Sequence, residues 1–177
     1  MSSYDAALAT LAAFIPRDAA QQELQSTYLA HLHTHANGLR RECHPAHLTA
    51  SALVLSPDRA HILLHRHARY GIWVQFGGHL EPGDDSLAAG ALREAEEESG
   101  IPDLMLLSEQ PAQLDTHLVR CGPAEPSYHL DVRFLAVAPP DAEPQLTAES
   151  LDVRWFARDE LPSELDSGLK QLIAWSS

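Results

Sequence analysis

The run Gly77-Gly78-His79-Leu80-Glu81-Pro82-Gly83, with Asp84 and Asp85 after it and then Arg93-Glu94-Ala95-Glu96-Glu97-Glu98-Ser99-Gly100-Ile101, constrains this chain most. A loop rich in glycine leads into a segment that reads as a short helix. Asp84, Asp85 or Ser86 can cap it, and Gly100 followed by Pro102 stops it. Glu94, Glu97 and Glu98 stand three or four positions apart, so their side chains share one helical face. Like charges stacked this way repel by about 0.3 kcal/mol per exposed pair, and a cation among them removes the repulsion. Carboxylate oxygens at this density suit Mg²⁺ or Mn²⁺, which take a few carboxylates and complete their shell with water and substrate phosphates. A solvated acidic face would explain the charges, but not the loop before them or the glycine behind. Glu96 points to another face and reads as solvated. Gly90, unfavourable inside a helix by about 1 kcal/mol relative to Ala, suggests close packing against a sheet.

The same residues resemble the signature of the Nudix hydrolases: Gly, five residues, Glu, seven residues, then Arg-Glu-aliphatic-any-Glu-Glu-any-Gly-aliphatic. From Arg93 to Ile101 each defined position is met, with Ala95 as the small apolar residue. Counting back from Arg93 places Asp85 where the family has Glu, with one residue too many after Gly78. Taking Asp84 instead restores the first spacing and breaks the second. Either way an aspartate replaces the glutamate that supports the arginine. The resemblance implies an α/β fold, a Nudix-type α/β/α sandwich with a mixed β-sheet. It also implies metal ligation by Glu94, Glu97, Glu98 and the Gly78 carbonyl, with Arg93 orienting the acids. Glu94, Glu97 and Arg93 are then the catalytic group, Mg²⁺ or Mn²⁺ the cofactor, and a small nucleotide-type diphosphate the substrate. Many relatives dimerise, so a homodimer is compatible with it.

Composition narrows the partners. The formal net charge is −13 with only 12 Lys and Arg among 177 residues, which leaves no electrostatic footprint for a nucleic-acid polymer. An anionic substrate would be repelled too, unless metal ions intervene. Cys43 and Cys121 are too few for a disulfide framework and read as free thiols. The N-terminus shows no cationic segment followed by an apolar run, and no stretch approaches the roughly 20 apolar residues of a membrane span. The expectation is a cytoplasmic protein with no membrane partner.

Along the chain, residues 4–14 read as a helix closed before Pro16, and Asp18 caps a second helix running to about His35. These form an N-terminal helical extension over residues 1–44, ahead of a Nudix-like domain over 45–177. Strands are predicted at 47–56, 61–67, 71–76, 103–108, 113–120, 128–138 and 151–156, and a last helix at 164–175. Residues 128–138 alternate, with Leu130, Val132 and Phe134 to one side and His129, Asp131 and Arg133 to the other.

Further polar residues invite roles. Glu149, before the last strand, is a candidate general base, and the plainer reading is an exposed loop acid. Glu81 lies in the signature loop and either approaches the metals or faces water. His79 in the same loop is a candidate phosphate contact. Asp115 with His117, and His129 with Asp131, share strand faces; neighbouring strands would gather them into a polar substrate wall or leave them on the solvent side of a sheet. His31 and His35 have chelating spacing but no third ligand, and read as surface histidines. Tyr70 and Trp73 either stack on a base or pack into the protein.

Three function classes follow. The leading one is a divalent-metal-dependent pyrophosphohydrolase cleaving a nucleoside diphosphate linked to another moiety. The alternative is a non-hydrolytic nucleotide-binding or sensor module, for which so much negative charge beside an anion is unhelpful. Isoprenoid diphosphate isomerisation on a related fold needs a catalytic cysteine, and neither Cys43 nor Cys121 lies in a recognisable context.

Overall fold

The computed structural model describes residues 2–120 and 126–177. Cys121 and Pro123 lie outside them. Two helices come first: α1 (Ser3–Ala13), closed at its start by a capping box between Ser2 and Asp5, and α2 (Ala19–Thr34), where the Asp18 side chain accepts from the Gln21 N–H. An eight-stranded mixed sheet follows, built from β1 (Ala46–Leu55), β2 (His61–His67), β3 (Trp73–Val74), β4 (Phe76–His79), β5 (Met105–Leu106), β6 (Gln113–Val119), β7 (Ser127–Val137) and β8 (Ser150–Ala157). Helix α3 (Leu87–Ser99) joins β4 to β5, and α4 (Ser167–Trp175) ends the chain.

Strand β1 organises the molecule. It runs parallel to β7 along its whole length, from Ala46 opposite Tyr128 to Leu55 opposite Val137. On its other edge it pairs antiparallel with β4 over residues 49–52 and with β2 only at Val54 and Leu55, so the sheet forks there. Strand alternation then divides the core. Leu48, Ala50, Ala52 and Val54 face a cluster containing Leu11 of α1, Tyr28 and Leu32 of α2, and Leu87, Ala91 and Ala95 of α3. Leu53 and Leu55 face a second cluster with Leu169, Leu172 and Ile173 of α4. Three helices therefore cover one face and α4 the other, which is the α/β/α sandwich with a mixed sheet. The N-terminal helices are tied in by polar contacts as well: Gln21 donates to the Leu114 carbonyl and accepts from its N–H, at 2.9 and 2.7 Å.

Several local expectations change. The strand placed at 71–76 is two short strands separated at Gln75, and that at 103–108 shrinks to Met105–Leu106. Strand β7 is not half-solvated: Asp131 and Arg133 are as buried as Val132. Its polar side is covered by the start of α4, where Gly168 lies against Asp115 and Arg133 and accepts from Gln113, and charged partners fill the space. Arg133 donates to Asp131, Gln113 and Asp115 at 2.9, 3.0 and 2.9 Å, while Thr49 and Ser51 donate to Asp131 at 3.0 and 2.8 Å. Trp73 packs edge-on against Phe156, and Tyr70 remains exposed. His31 and His35 are stacked and half-buried rather than freely exposed, and Cys43 is buried. Among the described residues no helix is long and apolar enough to cross a membrane.

Candidate active site

The signature segment is strand, loop and helix: β4, residues 80–86, and α3. Ser86 caps α3, accepting from the Ala89 N–H, and Gly100 closes it in the left-handed conformation with φ 68°. Gly90 belongs to this loop contact rather than to the sheet, because a Cβ there would meet Leu80 Cδ2 at 2.5 Å and Asp84 at 3.2 Å. Asp84, not Asp85, is the arginine's support. Its carboxylate accepts from Arg93 Nε and Nη2, both at 3.0 Å, and from the Glu81 N–H at 2.7 Å. Burial raises the Asp84 pKa, but these donors outweigh it and hold the group below its ordinary value. The extra residue therefore falls after the acid, at the start of the helix.

Arg93 links loop and helix. Its Nη2 also donates to the His79 carbonyl at 3.0 Å, and its Nη1 to Glu94 Oε1 and Glu97 Oε2 at 3.1 Å each. Gly78 lies directly against Glu94: a Cβ would sit 2.8 Å from Oε1, so only glycine leaves the carboxylate in place. Glu97 is 62% exposed, whereas Glu94 and Glu98 are 17% and 6% exposed. Burial pushes the Glu94 pKa up despite Arg93.

Glu98 is the most constrained of the acids. It accepts from the Gly77 N–H at 2.9 Å, and burial, reinforced by Glu94 and by a hydrogen bond with the Glu149 carboxyl, pushes its pKa up to about 8. Glu149, exposed and 51 positions further along the chain, thus joins the α3 acids at their buried end. His65 Nε2 stands 3.9 Å from Glu98, but this is not an ion pair. Burial depresses the His65 pKa to about 4, so the imidazole is neutral near pH 7. Its Nδ1 meets Ser150 Oγ at 2.7 Å, and its ring stacks on Phe76. The sequence reading passed over His65, although it stands two positions after the core residue Leu63 on the same strand face. Glu96 is not simply solvated, since it accepts from the Leu104 N–H at 3.1 Å.

The sheet registers gather the other histidines elsewhere. His117 lies opposite His129, His129 opposite His47, and His79 opposite Thr49. Burial, then neighbouring histidines, depress His79 to about 4 and His129 to about 2. Alternation turns His79 to the opposite side of β4 from Gly78, away from Glu94.

A Gly-rich loop is thus clamped to a helix by an arginine, and the helix presents its carboxylates beside a glycine with no room for a side chain. A family model, the NUDIX domain, matches residues 45–176. The chain belongs to the Nudix family and is a hydrolase acting on phosphoanhydride bonds. Solved structures share the fold. A MutT Nudix hydrolase from Burkholderia pseudomallei is 21% identical with a TM-score of 0.57, covering 75% of this chain and 98% of its own. The MutT protein from Methanosarcina mazei Go1 is 20% identical at TM-score 0.55, covering 75% and 93%. A UDP-X diphosphatase, 19% identical at TM-score 0.53, covers 96% of this chain and 89% of its own, so that likeness extends into the N-terminal helices. No curated protein matches the sequence significantly.

Proposed function

We propose that the protein is a divalent-metal-dependent pyrophosphohydrolase that cleaves the diphosphate of a nucleoside diphosphate linked to another moiety. The observation carrying this reading is the gathering of half-buried Glu94 and buried Glu98, with Glu149 against Glu98 and Arg93 the only guanidinium bonded to the set among the described contacts. Burial first, and then neighbouring carboxylates, raise the pKa of Glu94 and Glu98, so a cation bound among them would relieve both costs. The donor set is all oxygen, which fits Mg²⁺ or Mn²⁺. Glu94, Glu97, Glu98 and the Gly78 carbonyl would hold it. Bound there, such an ion supplies charge neutralisation at the diphosphate and a more acidic water.

The chain's own groups have separable tasks. Arg93 positions Glu94 and Glu97 from the loop side, and Asp84 fixes Arg93. The Gly77 N–H fixes Glu98 at the buried end. Glu149, an exposed carboxyl against Glu98, is the general base whose Oε atoms accept the proton of the attacking water. Phosphorus-31 NMR of nucleotide sugars, ADP-ribose, NADH, coenzyme A, dinucleoside polyphosphates and nucleoside triphosphates tests the reading. A nucleoside monophosphate released only with Mg²⁺ or Mn²⁺ supports it; tight binding without product moves the assignment to the sensor module.

A further inference from the structure

The face of the sheet turned away from α3 carries a second group of coordinating side chains. One ring nitrogen from each of His47, His79 and His129 lies within 4.8 Å of the other two, and Nε2 of His47 and Nε2 of His79 are 3.1 Å apart. Ring centroids are 5.0–5.1 Å apart in all three pairings. Three strands supply them, so the grouping is a product of β1, β4 and β7 meeting in register.

The surroundings orient these rings as a metal's outer partners do. His47 Nδ1 lies 3.2 Å from the Cys43 carbonyl, which only accepts, so Nδ1 carries the hydrogen and the Nε2 lone pair is aimed at His79. The backbone of His79 is fixed by Arg93 at its carbonyl. At the rim, His117 Nδ1 donates to Asp115 at 2.9 Å, and its ring lies 5.5 Å from that of His129. Tetrahedral Zn²⁺ with Zn–N bonds of 2.0–2.1 Å holds its nitrogens about 3.4 Å apart, a spacing these rings reach by small rotations.

We propose that His47, His79 and His129 form a binding site for a divalent transition-metal ion of the Zn²⁺ class, separate from the carboxylate site on α3. Imidazole nitrogens select such ions, whereas the α3 oxygens select Mg²⁺ or Mn²⁺. The chain therefore sorts two kinds of metal across one strand, with Gly78 turned to one and His79 to the other. Three protein nitrogens would leave a fourth position for water or another ligand.

Metal content tests this independently of hydrolysis. The full chain is stripped with chelator, exposed to Zn²⁺, and desalted in excess Mg²⁺ before elemental analysis; Co²⁺ substitution reports ligand type through its visible spectrum. Wild type and Glu98→Gln should each retain one Zn²⁺ per chain and show the intense bands of a four-coordinate nitrogen-rich site. His129→Gln should bind Zn²⁺ more weakly by at least the roughly tenfold that loss of an outer partner alone produces, and lose those bands. If His129→Gln does not fold by circular dichroism, His79→Gln carries the same test. Folded wild type that retains no Zn²⁺, or Zn²⁺ lost in Glu98→Gln and kept in the histidine variants, would overturn the proposal.

Discussion

Arg93 and Asp84 meet through two parallel hydrogen bonds of 3.0 Å, from Nε and Nη2 to the two carboxylate oxygens. This fork joins the start of the loop–helix unit to its acidic face and fixes which aspartate does the supporting. Asp84→Asn should destabilise the fold by about 2 kcal/mol, the worth of charged hydrogen bonds lost from a largely buried site. Asp85→Asn, at an exposed position, should change it by less than about 0.5 kcal/mol. Urea unfolding of both variants decides the alignment; equal effects would refute it.

Gly78→Ala should fold normally, because the atom its Cβ meets is the movable end of Glu94. Displacing that carboxylate by about 1 Å should lower kcat/KM about 100-fold. A steady-state assay beside a thermal melt separates these effects, and an unchanged kcat/KM would show that Glu94 needs no such placement.

Metal-free stability should peak near pH 6.5–7. His65, His79 and His129 have folded pKa values depressed to about 4, 4 and 2, so below about pH 6.5 the unfolded chain binds more protons and stability rises with pH. Glu98 works the other way. Its folded pKa, raised to about 8, leaves the folded state holding a proton that the unfolded state has lost, so stability falls as pH climbs toward 8. Unfolding in chelator from pH 5 to about 9 checks both limbs, and Glu98→Gln should abolish the falling one.

Arg133→Met would leave Asp131 and Asp115 without their buried guanidinium. A loss of about 3–5 kcal/mol is predicted, readable by chemical denaturation, because removing one partner strands the other charges. A neutral outcome would mean that the carboxylates find compensation elsewhere.

How much of this was legible depended on range along the chain. Helix caps at Asp18 and the stop at Gly100 are local, so both helices fell within a residue or two of their observed ends. The acidic face of α3 was equally plain, since spacing alone sets it. Glu149 beside Glu98, and His65 beneath it, depend on β8 and β2 pairing, which no local pattern specifies. The polar side of β7 read either as a substrate wall or as solvent-facing, because alternation marks two faces without saying what covers the second. Asp84 and Asp85 were indistinguishable by counting, and only the Arg93 geometry separates them.

Metal-dependent phosphoanhydride cleavage by the α3 carboxylates, the proposed function, can be tested in one assay. Its most direct measurement is turnover of the best substrate by wild type and Glu98→Gln at matched Mg²⁺, both confirmed folded. Wild type should give product only with the metal, and the variant should be slower by at least about 100-fold. Equal turnover by the two proteins, or wild-type turnover unaffected by chelator, would contradict it.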